Sequence, residues 1–189
     1  MMSLSKHKLL SSVAAVVLLF NAHLVAAGDS DAAQDRKEVD ADTATVLSEF
    51  RAMKGAEAAF DKAAGYAVFN VTKAGFVASG AGGGGVAVDK KTGARTYMRM
   101  GSAGLGLTLG VSRYGVVILF ETSEKFAAFA NGGWDSSATA QAAAGSKGAE
   151  ISSTFFDGVA YYQVDKKGLM ASADVSGTKF WVADALTGK

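Results

Sequence analysis

Six cations, Lys73, Lys90, Lys91, Arg95, Arg99 and Arg113, fall mostly at expected turns or strand ends, where such groups can gather around a phosphate. Lys90, Lys91 and Arg95 could converge on one hairpin. A converging set suits phosphate or phosphoinositide headgroups, each cation near an anionic membrane contributing about 1 kcal/mol. The commoner fate of such charges is a solvated surface.

The run Gly80-Ala81-Gly82-Gly83-Gly84-Gly85 invites comparison with a phosphate-binding loop, whose bare backbone amides cradle an anion. That loop needs a Lys followed by Ser or Thr and then a helix, whereas Val86-Ala87-Val88 reads as a strand. The run is expected to form a glycine-rich hairpin or strand pair, in which missing side chains let another backbone or a covering helix come close.

Groups suited to catalysis are scarce. The chain has no cysteine, so it has no thiolate nucleophile, no disulfide and no site for diacylation. Both histidines, His7 and His23, lie in the first 27 residues. Those residues read as an export leader: Lys6 and Lys8, an apolar run from Leu9 to Phe20, then Val25-Ala26-Ala27 before Gly28. The run of 12 residues is short of the roughly 20 that span a bilayer. Cleavage after Ala27 would leave no imidazole for a triad, a zinc site or general-base work near neutral pH. Glu121, Glu124, Asp135, Asp157 and Asp165 remain as carboxylates, and no pattern singles any of them out. No catalytic residue, metal or cofactor is expected. The mature chain would carry 17 Lys plus Arg against 18 Asp plus Glu, so bulk attraction to nucleic acid is not expected either.

The elements that must position the cations come next. With 49% hydrophobic and 20% charged residues, the 189-residue chain suits one globular unit. The expected organisation is a leader at 1–27, a helical segment at 28–64 and a β-rich domain at 65–189. From Ser30 to Lys54, Val39, Val46, Leu47, Phe50 and Met53 share one helical stripe, predicting an amphipathic helix. Gly55 interrupts it, and a second segment from Ala56 to Ala64 is expected to close at a left-handed Gly65.

Beyond Gly65 about ten short strands are expected, among them Tyr66 to Val71, Gly75 to Ala78, Gly85 to Val88, Arg95 to Met100 and Leu105 to Val111. Val116 to Glu121, Glu150 to Phe156, Val159 to Val164, Leu169 to Val175 and Lys179 to Val182 complete the set. Ser123 to Ala130 reads as a short covering helix capped by Ser123, while Trp134 to Gly148 is ambiguous between loop and weak helix. With no proline and 23 glycines, turns such as Lys90-Lys91-Thr92-Gly93 fall to glycine and small polar residues. The fold class is therefore α+β: N-terminal amphipathic helices, then a curled antiparallel sheet or barrel-like sandwich with a short covering helix.

Several blocks in order resemble the Ysc84 or SYLF family, specifically its bacterial, exported branch. They are Ala67-Val68-Phe69 with Lys73-Ala74-Gly75-Phe76, the glycine run to Val88, Gly104-Leu105-Gly106-Leu107, and Tyr114-Gly115-Val116-Val117. Phe126 to Trp134 follows, then Lys167-Gly168-Leu169-Met170-Ala171 with Gly177-Thr178-Lys179. The resemblance implies a lipid-binding module of sheet and helices, with phosphoinositide preference in eukaryotic relatives and actin binding in fungal ones. For an exported bacterial protein, actin binding is not expected. The expected headgroup residues are Lys73, Lys90, Lys91, Arg95, Arg99, Lys167 and Lys179, and the expected place is the periplasm or cell envelope of a Gram-negative bacterium, peripheral to the membrane. In eukaryotic relatives an amphipathic helix before the domain helps membrane binding, and Ser30 to Lys54 occupies a comparable place. Its apolar stripe equally suits packing on the sheet. Asn70 stands where the family often has proline after the Val-Phe pair.

Three other readings fit parts of the sequence. An envelope protein-interaction or structural module would use similar surface residues. A small outer-membrane barrel matches the strand count but not the expected strand length. An enzyme using carboxylates alone would need two of them facing across a cleft.

Overall fold

The computed structural model describes residues 31–75, 78–105, 110–135, 151, 154–165, 168–169 and 178–188. The expected leader, Lys167 and most of the segments Trp134 to Gly148 and Leu169 to Val175 lie outside the described residues.

Helix α1 spans 31–51 and helix α2 spans Ala56–Lys62. Strands β1 (Gly65–Gly75), β2 (Ala78–Asp89), β3 (Arg95–Leu105) and β4 (Gly110–Phe120) follow. Helix α3 (Ser123–Gly132) precedes β5 (Trp134–Asp135), β6 (Val159–Asp165), β7 (Gly168–Leu169) and β8 (Thr178–Val182), and α4 (Asp184–Thr187) comes last. The eight strands form one antiparallel sheet in the order β5-β8-β3-β2-β1-β4-β6-β7. The described strands thus form an α+β fold with an open sheet, its outer strands β5 and β7 unpaired with each other.

Directly opposed residues on antiparallel neighbours share a face, and successive residues alternate faces. One face therefore carries Ala67, Phe69, Val71, Met98, Met100, Val116, Ile118 and Tyr161, buried with Phe126 and Phe129 of α3. The other carries Val68, Val117, Leu119, Tyr162 and Val164, buried with Val46 and Phe50 of α1 and Ala59 and Phe60 of α2. The apolar stripe of α1 thus packs on the sheet, with Phe50 against the Tyr162 ring at 5.2 Å.

The expected strand Leu105 to Val111 lies mostly outside the described residues, Leu105 belonging to β3 and Gly110 and Val111 to β4. Three local expectations are corrected. α2 ends because Ala63 turns extended, and Gly65 opens β1, where a side chain would strike the Phe126 ring. The cap of α3 is Thr122, whose side chain accepts from the Lys125 amide at 3.3 Å, one residue before the expected Ser123. In Glu150 to Phe156, the described residues hold only a single bridge from Phe156 to Val159. α1 ends at residue 51, short of the expected Lys54, and Gly55, with φ of 87°, forms the N-cap of α2 between the two helices.

The central strands run to 11 or 12 residues, longer than their short hydrophobic blocks announced. That length suits a membrane-crossing strand, but helices cover both faces of this sheet, which a lipid-facing barrel does not permit. Among the described residues no helix is long and apolar enough to cross a membrane.

Candidate functional site

The β2–β3 hairpin shows why turn cations need not converge. Asp89 accepts the amides of Lys91 (2.8 Å) and Thr92 (2.9 Å), fixing the turn. The Thr92 amide first, then that of Lys91, holds the Asp89 carboxyl below its usual range. Lys90 folds back so that Nζ donates to the Phe60 carbonyl at 2.6 Å and lies 4.7 Å from the Phe60 ring centre. The Phe60 carbonyl also accepts the Ala63 amide at 3.1 Å, so Lys90 takes its second lone pair at the negative end of α2, where a cation is favoured. Arg95 pairs with Asp40 of α1 at 2.7 Å, and the Tyr97 hydroxyl donates to the other Asp40 oxygen at 3.1 Å. Burial, then the Asp40 charge, pushes the Tyr97 hydroxyl up. Lys91 lies on the exposed turn, where its charge helps hold the Asp89 carboxyl down, and its side chain forms no ion pair or hydrogen bond among the described residues.

The remaining candidates are scattered. Lys73 stands near the far end of β1 on the α3 side of the sheet, since it follows Phe69 and Val71 in alternation. Arg99 and Lys179 lie on the α1 side, in register with Trp181 and Gly101 of neighbouring strands. Arg113 lies on that side too, opposite Thr72. Single-patch convergence of the expected set is therefore not what the fold provides.

Instead, one row of the sheet organises a site. Arg99, Gly84, Asn70, Gly115 and Val164 stand opposite one another across β3, β2, β1, β4 and β6. α1 crosses the sheet along this row: Arg36 donates to the Leu186 carbonyl of α4, Asp42 accepts from Asn70 Nδ2 at 2.8 Å, and Val46 sits on Gly115. A Cβ on Gly84 would lie 3.0 Å from Val39 Cγ2, and one on Gly115 would strike Val46. The glycines let the helix backbone approach, the close-approach role expected of the Gly80–Gly85 run.

On one flank of α1 this leaves a trough. One stretch, about 230 Å³, is lined by Asp35, Glu38, Asp42, Asn70, Gly84 and Arg99. The next, about 210 Å³, shares Asp42 and Asn70 and adds Glu49, Arg113 and Asp165. Asp35, Glu38 and Asp42 recur at helical spacing, so one side of α1 presents carboxylates to two arginines of the sheet. At the β8 end, Trp181 is 40% exposed, its six-membered ring 3.2 Å from where a Gly101 Cβ would lie, with Arg99 opposite and Lys179 two residues before it.

Residues 101–189 match the family model described as Ysc84, Las17-binding protein actin regulator. Residues 101–189 thus belong to the Ysc84 family. A curated relative, beta cell expansion factor A of Aeromonas veronii, is 42% identical over 147 residues, covering 78% of this chain and 56% of the relative. The chain thus spans little more than half the length of that protein. The family is consistent with a lipid-binding or protein-interaction module, and no catalytic family is indicated. The matched segment contains Arg113, Lys179 and Trp181, while Arg99 and α1 precede it.

Sequence reasoning missed Trp181 and the α1 carboxylates. An acidic stripe opposite an apolar one reads as an ordinary solvated face; only the spacing of Asp35, Glu38 and Asp42 on a single side could have pointed to them.

Proposed function

We propose that this chain is a non-enzymatic module, exported by residues 1–27, that binds phospholipid headgroups peripherally at a bacterial envelope membrane. The observation that carries this reading is Trp181, an exposed indole spread over Gly101 between Arg99 and Lys179. Indole rings settle at the membrane interface, their apolar body inward and their N–H at headgroup level, and neighbouring cations meet the phosphates. Arg99 and Lys179 have neither ion pair nor hydrogen bond among the described residues, so no internal partner must be given up.

The non-enzymatic part of the reading rests on the family match and the relative, neither of which indicates a catalytic family.

Co-sedimentation with vesicles containing anionic phospholipid tests the reading. Trp181→Ala should weaken binding by about tenfold, the order expected for withdrawing one large apolar side chain from the interface. Lys91→Ala, at the other end of the hairpin, should leave binding unchanged. Failure of the unaltered chain to bind any vesicle would overturn the lipid reading in favour of a protein-interaction module.

A further inference from the structure

The trough beside α1 holds opposite charges that do not meet. Arg99 lines it together with Asp35, Glu38 and Asp42, and Arg113 lines its continuation with Asp42, Glu49 and Asp165. Neither arginine forms an ion pair or hydrogen bond among the described residues. The carboxylates are only partly occupied: Glu38 accepts from Gln34 at 3.2 Å, Asp42 accepts from Asn70, and each has further acceptor sites. Arg95 shows the contrast within the same helix–sheet contact, since it does close on Asp40 at 2.7 Å.

A gap between unclosed opposite charges fits a ligand that carries both signs. We propose that this trough takes phosphoethanolamine headgroups, the phosphate on Arg99 or Arg113 of the sheet and the primary ammonium on the Asp35, Glu38 and Asp42 wall of α1. The inference rests on the phospholipid reading above and names the headgroup. Arginine presents a planar fork of donors that matches phosphate oxygens. A purely anionic headgroup would gain the arginines but would sit against the helix carboxylates, which repel it. The opposite wall also discriminates between ammonium groups. A primary ammonium donates three hydrogen bonds, which carboxylates and the Asn70 carbonyl can accept, whereas a quaternary choline has no N–H and is held best by an aromatic cage. The wall of α1 offers carboxylates and no such cage.

The experiment is vesicle co-sedimentation at a fixed fraction of phosphatidylglycerol, with the remaining lipid either phosphatidylcholine or phosphatidylethanolamine. The expected result is about tenfold tighter binding with phosphatidylethanolamine, the gain of roughly one charge-assisted hydrogen bond. The double variant Asp35→Asn, Glu38→Gln, both exposed on α1, should lose that gain, while its binding to the phosphatidylcholine vesicles is kept or strengthened, because two charges that repel phosphatidylglycerol are gone. Soluble glycerophosphoethanolamine at millimolar concentration should compete, and glycerophosphocholine should not, which separates headgroup recognition from a response to looser lipid packing. Equal binding to the two vesicle types, a gain that survives in the double variant, or indifference to the soluble headgroup would each overturn the proposal while leaving the phospholipid reading in place. Absence of binding to every vesicle would instead overturn both.

Discussion

The two faces of the sheet are packed on different terms. Under α3, Phe129 meets Phe69, Phe120, Phe180 and Trp134 at ring separations of 5.0 to 6.5 Å, an aromatic cluster with a cavity of about 160 Å³ beside Phe129, Trp134 and Lys125. Under α1 the packing is uneven: Val46 and Phe50 bury against β4 and β6, while the helix flank over Gly84 and Asn70 opens into a polar trough. One face is therefore held chiefly by aromatic packing, and the other divides its width between stability and a polar trough. A helix lying on a glycine row makes that division possible, because its backbone sits low enough for its polar flank to become a wall of the trough.

The largest effect should come from the aromatic face. Phe129→Ala removes a ring that touches four others, and Phe50→Ala removes one whose described ring partner is Tyr162 alone. Both rings are buried, so each truncation should cost about 3–5 kcal/mol, with Phe129 at the upper end and Phe50 at the lower. Urea denaturation of the two variants measures the difference. A greater loss from Phe50→Ala would mean that the α1 face, trough included, carries the main weight of the fold.

Alkali should probe the α1 face selectively. Burial pushes the Tyr162 hydroxyl up to about 12, against roughly 10 in an unfolded chain. Between those values the unfolded state releases a proton that the folded state keeps, so stability present below about pH 10 falls as pH rises toward 12. The loss attributable to this group is on the order of 2–3 kcal/mol. Thermal melts of the native chain and of Tyr162→Phe between pH 9 and 12 should diverge, the variant keeping the flatter profile. Parallel curves would show that the Tyr162 environment is wetter than its burial implies.

Much of this arrangement was legible in the residues. The stripe from Val39 to Met53 announced a helix with one apolar face, and Val86-Ala87-Val88 marked the glycine run as strand rather than phosphate loop. Strand lengths were not legible, because β2 continues through Gly80 to Gly85, where no side-chain alternation signals a pleat. The site was less readable still. Lys90 and Arg95 look as available as Arg99 in the sequence, and only the chain's folding back places the Phe60 carbonyl beside one and Asp40 beside the other. Such partners lie 30 and 55 positions away, beyond the reach of any local pattern. The leader and the three-part division of the chain stand as proposals.

The smallest effects should resolve the division within the α1 face itself. A Cβ on Gly115 would strike Val46 and lie 2.9 Å from Val164 Cγ2, both neighbours being buried and branched at Cβ, hence stiff. Gly115→Ala should therefore cost about 1–3 kcal/mol, the range for overpacking a closed site. A Cβ on Gly84 meets only Val39 Cγ2, at 3.0 Å, and Val39 is half-buried on the trough side, where a shift of a few tenths of an ångström is enough. Alanine also loses less backbone freedom than glycine in a strand, which offsets part of the contact, so Gly84→Ala should change stability by less than about 1 kcal/mol. Denaturation midpoints of the two variants test the order. Equal costs would mean that α1 bears on the sheet as a rigid bar along its whole length, whereas the expected inequality places its give beside the trough, where a bound headgroup would need it.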